Sequence, residues 1–357
     1  MEKPLQKYFL AANSCHGFFS AFRENYSVTD SWRVTLIKGG PGTGKSSFMR
    51  HLAAHGQDLD EETALVVCSS DPQSLDGVIF PRLKRLVVDA TAPHTLDPQC
   101  VGLCENILDL GAFWSESKLQ EHRADILLEA EQNKLLHQTA ARYIAAAGNL
   151  MEDSRRIVTK ATDPNKISHF ARRLIREHLP PKRGGIGREW VRFIEGITPN
   201  GILSYPTTVT EHFEKIVVVS DTHGTVCAPL MNQLKNAALQ NGYEVITLKS
   251  PFFPQETDHL LIPRCSLAFV RESAYLTFDT PVRRIHDRRF VHAAKLHDFR
   301  GRLTANRRLS RELLREACSF LSLAKKSHDR LEQYYIDAMD FSALTDFAEE
   351  FTKNFFE

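Results

Sequence analysis

The chain has 357 residues, a net charge of +1 at pH 7 and 25% charged residues. The balanced charge excludes a global field for binding nucleic acid, and the 42% hydrophobic share is that of a globular protein with room for two domains. No stretch approaches the roughly 18 apolar residues of a membrane span. Seven scattered cysteines, none in a C-x-x-C pair, predict reduced thiols and a cytoplasmic location.

The first informative elements are a predicted strand, a glycine-rich loop and a predicted helix. Residues 33–37 form a β-branched run typical of a buried strand, and residues 45–55 place apolar side chains on one side of a helix. Between them stands Gly-Gly-Pro-Gly-Thr-Gly-Lys-Ser, a complete G-x-x-x-x-G-K-[ST] phosphate-binding loop (P-loop). The predicted nucleotide-binding residues are Gly39, Gly40, Pro41, Gly42, Thr43, Gly44, Lys45, Ser46 and Ser47.

This loop carries the chemistry needed to bind a nucleoside triphosphate. Its glycines let backbone N–H groups turn toward phosphate oxygens at a helix N-terminus, where the helix dipole favours an anion. Lys45 is expected to reach the β- and γ-phosphates, and Ser46 is expected to ligate Mg²⁺. ATP, or another nucleoside triphosphate, and Mg²⁺ are therefore the predicted cofactors.

An acidic loop precedes the next strand. A probable strand at residues 64–68 leads into a polar stretch that contains Asp71 and Asp76. Ligands of open α/β sheets bind at the carboxyl ends of the strands, so both aspartates are candidates for contacting a second substrate or the attacking water. A plain turn role for them remains an alternative.

A second magnesium anchor is predicted at the end of the hydrophobic run 86–89. Asp89 ends this run, 44 residues after Lys45 (89 − 45), and a turn-forming role is the alternative. Alanine and threonine follow, so the glutamate that often succeeds such an aspartate in motor-type ATPases is missing. His94, a little further along, could touch a substrate or be a solvated loop residue.

Long helical segments follow, with apolar residues at helical spacing over 119–150 and again from residue 167. Phosphoryl transfer needs positive charge beyond the loop lysine, and Arg123 is the first candidate because a helical lid could bring it to the γ-phosphate. The second half of the chain repeats this segment, as described below, and has Arg300 at the equivalent position. An arginine present in both halves could instead form a structural ion pair, which is the alternative. Further candidates are Arg82, Arg264 and Arg271.

The chain is a tandem repeat. Residues 33–37 match 215–219 at an offset of 182 (215 − 33), and the helical segments match at an offset of 177 (300 − 123). A linker rich in proline and glycine lies where the repeats join. The predicted domains are 1–179, a P-loop NTPase domain, the linker 180–189, and 190–357, a degenerate P-loop NTPase-like repeat. The predicted fold is α/β, with a parallel sheet and flanking helices in each repeat.

The second repeat has lost the phosphate-binding residues. An aspartate replaces the first glycine and an arginine replaces the magnesium aspartate, which reverses the electrostatics that phosphates and metal need. Gly39, Gly44, Lys45, Ser46 and Asp89 correspond to Asp221, Val226, Cys227, Ala228 and Arg271. The second repeat is therefore not expected to bind a nucleotide with magnesium.

The same segment contains an Asp-x-His pattern, Asp221 with His223, that is similar to the first motif of metallophosphoesterases. Such a two-metal centre needs G-D, G-N-H and G-H-x-H elements downstream, and none of these strings occurs. A decayed phosphate-binding loop is the favoured interpretation, and a metal site is the alternative.

These motifs together resemble a poorly characterised bacterial family of tandem P-loop ATPases. The segments that carry the resemblance are Ala-Ala-Asn at 11–13, Gly-Phe at 17–18, the loop at 38–46, Cys-Ser-Ser-Asp-Pro at 68–72, Ser-Leu-Asp-Gly-Val at 74–78 and Asp-Ala-Thr-Ala-Pro-His at 89–94. The resemblance covers nearly the whole chain and implies ATP binding, without an established substrate. Members commonly keep the loop in both repeats, so its decay here puts two-site binding in doubt.

Three function classes follow from the sequence. The first is an ATPase whose second repeat is an inactive regulatory or docking half for an unidentified partner. The second is a small-molecule kinase, favoured by the short spacing to Asp89, the missing glutamate and the acidic loop. The third is a nucleotide-dependent sensor that hardly turns over.

Overall fold

Two halves built from the same elements follow one another along the chain. The computed structural model describes residues 4–93, 95–181, 185–278 and 283–357. The elements of the first half are β1 (Gln6–Tyr8), β2 (Ala11–Ser14), β3 (Gly17–Ser20), β4 (Arg33–Lys38), α1 (Lys45–Asp58), β5 (Ala64–Val67), β6 (Leu75–Phe80), β7 (Arg85–Asp89), β8 (Glu105–Asp109), α2 (Glu116–Glu121), α3 (Arg123–Ala161) and α4 (Pro164–His178).

The second half repeats this order almost element for element. Its elements are β9 (Glu189–Arg192), β10 (Glu195–Thr198), β11 (Gly201–Ser204), α5 (Thr207–Thr210), β12 (Lys215–Ser220), α6 (Cys227–Gln240), β13 (Val245–Lys249), β14 (Thr257–Ile262), β15 (Leu267–Glu272), β16 (Arg283–His286), α7 (Arg300–Ala338) and α8 (Phe341–Phe356).

Each half forms a six-stranded sheet, and the two sheets have the same topology. The strand order is β1-β5-β6-β7-β4-β8 in the first sheet and β9-β13-β14-β15-β12-β16 in the second. The predicted strand at 33–37 lies in β4, and its predicted copy at 215–219 lies in β12 at the equivalent position. The chain is thus an α/β protein with two similar sheets, as the repeat predicted.

The prediction of parallel sheets is wrong, because both sheets are mixed. β6 runs antiparallel to β5 and β7, and β14 runs antiparallel to β13 and β15. The connections 68–74 and 81–84 are too short for the crossover of a dozen or more residues that parallel neighbours need. Part of the polar stretch interpreted as a loop is therefore the start of β6.

The two sheets share a common core. Alternate residues of β4 point to opposite faces, so Val34 and Leu36 join a cluster that also contains Val218 and Val270 of the second sheet, whereas Ile37 faces away from it. The Trp32 and Trp190 rings meet within this cluster at 5.3 Å between centroids. The halves are therefore joined through one continuous apolar interior.

The last helix of each repeat packs on the sheet of the other repeat. α8 and α1 cover the outer face of the first sheet, and α4 and α6 cover the outer face of the second. Both exchanged helices begin at an aspartate, Asp163 or Asp340, whose side chain accepts the backbone N–H groups two and three residues later. Each apolar core therefore includes a helix that the sequence assigns to the other repeat.

The long helices α3 and α7 form an antiparallel pair. Arg330 Nε donates to Glu129 Oε1 at 2.7 Å near one end, and Arg302 Nε donates to Asp153 Oδ2 at 2.8 Å near the other. Glu129 and Asp153 of the first repeat thus hold two arginines of the second. The pairing carries each end of α7 toward a different half of the molecule.

The predicted domain limits, 1–179 and 190–357, assign α4 to the first domain and α8 to the second. In the folded chain each of these helices packs on the sheet of the other half. Residues 182–184 of the predicted linker lie outside the described residues. Within the described ranges, no helix is both long enough and apolar enough to cross a membrane.

Because α8 packs on the first sheet, a mutation in α8 of the second repeat is expected to destabilise the first half of the molecule. Phe355 of α8 is buried against Phe80 of β6, with ring centroids 5.5 Å apart. Phe355→Ala should lower the free energy of unfolding by about 3 kcal/mol because it opens a cavity in a core. Hydrogen exchange of the variant should accelerate in β6 and α1. Faster exchange confined to the second sheet, or an equal loss in the exposed-site variant Glu349→Ala, would contradict the exchange of helices.

Candidate functional site

The glycine-rich loop connects β4 to α1 at the carboxyl end of the strand. Gly44 takes a left-handed conformation (φ 82°) immediately before α1, which glycine adopts without steric cost. β4 and β7 are parallel neighbours, and Ile37 is in register with Asp89. Lys45 Nζ consequently lies 3.6 Å from Asp89 Oδ2, so the fold brings together the loop lysine and the strand-ending carboxylate.

Two side chains of the loop donate hydrogen bonds to the loop's own carbonyl groups. Lys45 Nζ donates to the carbonyl oxygens of Gly39 (3.0 Å) and Gly40 (2.7 Å), and Thr43 Oγ1 donates to Gly40 O (2.9 Å). The N–H groups of Gly44 and Lys45 have no hydrogen-bond acceptor among the described residues. Two orphan donors therefore stand at the N-terminus of α1.

Helices of the second repeat cover this loop. A Cβ on Gly40 would lie 2.6 Å from Cε1 of Tyr335, and a Cβ on Gly42 would lie 2.7 Å from the backbone oxygen of Glu332. The Gly42 N–H donates to Glu332 Oε1 at 3.2 Å. Glycine is thus required here for close approach of α7 as well as for the turn.

A cavity of about 380 Å³ opens between the glycine-rich loop, the acidic segment 68–76 that contains Asp71 and Asp76, and α7. Residues of both repeats line it, since α7 contributes a lysine, a histidine and a glutamate. The charged and polar lining residues are Thr43, Lys45, Ser46, Ser47, Arg50, Ser70, Asp71, Ser74, Asp76, Asp89, His137, Lys325, His328 and Glu332. Burial lowers the pKa of His137, and the neighbouring His328 lowers it further.

The oxygen ligands that magnesium prefers are present in this cavity. Asp89 Oδ1 accepts the Thr91 N–H at 2.9 Å, as the turn alternative predicted, while Oδ2 faces Lys45. Ser46 Oγ accepts from the Leu75 N–H at 3.0 Å and from Arg50 Nη1 at 2.9 Å. Both of its lone pairs are used, so ligation by Ser46 requires the exposed Arg50 to move away.

The two aspartates of the acidic segment both line the cavity. Asp71 forms an Asx turn, in which Oδ1 accepts the Gln73 N–H at 3.1 Å, so its turn role is present. Its other oxygen, Oδ2, lies 3.3 Å from Lys325 Nζ. Burial lowers the pKa of Lys325, but Asp329 and Asp71 outweigh it and raise the pKa above its usual value. Lys325 is therefore a stable cation in the cavity.

Some predicted residues lie elsewhere. Arg123, at the start of α3, does not line the cavity and contacts Gln120 through Nη1 at 3.3 Å. Arg82 donates to the carbonyl of Asp60, and His94 lies outside the described residues. Sequence reasoning missed the α7 residues of the cavity, Lys325, His328 and Glu332, which belong to no motif and whose proximity depends on the pairing of α3 with α7. It also missed Arg50 and His137.

In the second repeat the loop again joins a strand to a helix, but Val226 is right-handed (φ −98°) where Gly44 is left-handed, and the loop's own carboxylate fills it. Asp221 Oδ1 accepts the N–H of Gly224 (3.0 Å), and Oδ2 accepts those of Val226 (2.7 Å) and Cys227 (2.8 Å). Val226 and Cys227 correspond to Gly44 and Lys45 of the first repeat, at the offset of 182 (227 − 45). The carboxylate of Asp221 is therefore satisfied by backbone donors rather than poised as a metal ligand.

An arginine from a neighbouring strand takes the place in the second loop that Lys45 has in the first. Arg271 donates from Nε to Asp221 O (2.8 Å) and from Nη2 to Thr222 O (3.1 Å), which correspond to the two carbonyls that Lys45 contacts. Its Nη1 lies 2.8 Å from Asp258 Oδ1. Burial lowers the pKa of Arg271, but Asp258 and Asp221 outweigh it and raise the pKa above its usual value. Backbone donors and acceptors of the second loop are thus satisfied by side chains of the second repeat itself.

Comparisons with known proteins identify no relative, since the chain matches no protein-family model, no curated protein and no solved structure. The resemblance to tandem P-loop ATPases stays an expectation, and function is inferred from the site itself.

Removing the carboxylate should weaken the second loop. Asp221→Ala leaves several backbone N–H groups buried without an acceptor, which should lower the free energy of unfolding by about 3 kcal/mol. Thr222→Ala is the control, because its side chain is exposed and its backbone carbonyl is kept. Denaturant unfolding measures both variants, and equal stability of the two would show that the carboxylate does not hold the loop.

Proposed function

We propose that the first repeat binds a nucleoside triphosphate with magnesium and hydrolyses it. The observation that carries the proposal is the contrast between the two loops. The second loop binds an oxyanion, the carboxylate of Asp221, through N–H groups whose first-repeat counterparts, on Gly44 and Lys45, have no acceptor among the described residues. A phosphate oxygen would meet the same donors in the first loop, at a helix N-terminus that favours an anion.

The residues around the first loop have separable roles in this proposal. Lys45 would leave its carbonyl partners to contact the β- and γ-phosphates, and Asp89 with Ser46 would hold the metal. When bound, magnesium would neutralise charge on the phosphate oxygens. The Asp89 oxygen nearest Lys45 is the readiest ligand, because the other oxygen is engaged by Thr91.

The second repeat takes part directly through α7. Glu332 occupies the Gly42 N–H, so phosphate binding to that donor displaces the carboxylate of Glu332. Lys325 would supply the positive charge that phosphoryl transfer needs beyond Lys45, for which Arg123 is poorly placed. A degenerate repeat that covers the site in this way acts as a docking half and ties nucleotide binding to the position of α7.

We expect one nucleotide per chain. Lys45→Ala should abolish measurable binding because it removes the phosphate-binding cation, whereas Cys227→Ala, at the equivalent position of the second repeat, should leave binding intact. Calorimetric titration with ATP and magnesium gives both the stoichiometry and the affinity. A stoichiometry of two, or loss of binding in Cys227→Ala, would contradict a single site in the first repeat.

Lys325 should be needed for turnover more than for binding. Lys325→Ala is expected to lower kcat about 100-fold with nearly unchanged nucleotide affinity, because a cation placed on developing phosphoryl charge acts in the transition state. Lys326→Ala is the matched control, since Lys326 is exposed and does not line the cavity. Phosphate release under saturating ATP measures the effect. An equal loss in both variants would remove Lys325 from the proposed mechanism.

A small-molecule kinase is the second candidate. Asp71 and Asp76 line the same cavity as Lys45, so a hydroxyl substrate bound beside the phosphates would lie near a carboxylate. Phosphate release measured with and without a panel of metabolites separates the candidates, because a kinase consumes ATP in proportion to a phosphorylated product. A nucleotide-dependent sensor would bind ATP with hardly any turnover in either assay.

A further inference from the structure

The second repeat contains a cavity of its own, of about 410 Å³. It lies beside the filled loop, where α3, α7 and the segment after β15 meet. Its lining combines four arginines and the three carboxylates of Asp221, Glu272 and Asp287 with apolar and aromatic side chains, among them Phe252, Phe253 and Tyr275. The cavity corresponds to the nucleotide site of the first repeat in position, but it differs in chemistry.

The loop donors beside this cavity are not available to a ligand. Asp221 occupies the backbone N–H groups, and Arg271 is committed to Asp258. A second cation, Arg155, is held by both carboxylate oxygens of Glu256. An anion entering the cavity must therefore be bound by other groups.

Two further arginines of the lining lack an acidic partner. Arg307 and Arg311 lie one turn apart on α7, so their side chains are neighbours. Neither has a carboxylate within 4.0 Å in the part of the chain that the structure describes, whereas Arg302 and Arg330 of the same helix both do. Burial raises the pKa of Tyr275, and the nearby Arg311 opposes that rise. The cavity lining thus includes two exposed arginines that form no ion pair with a described carboxylate.

The chemistry of these groups indicates the ligand class. A guanidinium presents paired donors that match a phosphate or carboxylate group, and a charge-assisted pair of this kind is about twice as strong as a neutral hydrogen bond. The aromatic and apolar walls suit an organic body attached to that group. We propose that this cavity binds a small organic oxyanion, a phosphate or carboxylate on an apolar body, through Arg307 and Arg311.

The test uses the full chain with Lys45→Ala, so that the first site cannot contribute, and its result is independent of the proposed nucleotide binding. Phenyl phosphate and benzoate, titrated separately by calorimetry, are the probes. At least one should bind saturably at one molecule per chain. Adding Arg307→Gln with Arg311→Gln should weaken binding about tenfold or more, because charge-assisted hydrogen bonds are lost.

The control carries Arg308→Gln with Arg315→Gln, which removes the same charge from exposed positions of α7 that do not line the cavity. It should bind the probe as tightly as the Lys45→Ala parent. A preference for one probe assigns the anionic group. Should the double variant unfold, the single Arg307→Gln variant replaces it. The proposal is overturned if neither probe binds the parent, or if the control loses affinity as much as the cavity variant.

Discussion

The antiparallel pairing of α3 with α7 is the constraint on which the rest of the molecule depends. Salt bridges near both ends, Arg330 with Glu129 and Arg302 with Asp153, hold the two helices in one register. That register places Glu332 and Lys325 over the first loop and Arg307 and Arg311 over the second cavity. A rigid helix of 39 residues therefore contacts both sites, and a displacement at one end bears on the other.

The exchange of α4 and α8 strengthens this connection. Each outer core is completed by a helix from the opposite repeat, so neither half buries its apolar surface alone. The shared core between the two sheets has the same consequence. The first half depends on the second repeat, because helices of that repeat line the first cavity and complete the first outer core.

Side chains of the second repeat satisfy the polar backbone groups of the second loop. Backbone donors at a helix N-terminus need an acceptor, and Asp221 supplies one from within the loop. The carbonyls that Lys45 contacts in the first loop need a donor, and Arg271 supplies it from a neighbouring strand. The charges have changed places, with the anion now in the loop and the cation on the strand. This reversal satisfies the loop's backbone groups with charges opposite to those that a triphosphate and its metal would need.

The sequence by itself determined the duplication, the equivalence of β4 and β12, the glycine-rich loop between a strand and a helix, and the reversed charges at Asp221 and Arg271. These features are local, or they repeat at a constant offset, so spacing and residue type reveal them. The antiparallel course of β6, the exchange of α4 and α8, and the arrival of Lys325 and Glu332 at the first loop were decided only by tertiary structure. Nothing local to Lys325 distinguishes it from Lys326, because only the packing of α7 across α3 directs one side chain into the cavity and the other away from it.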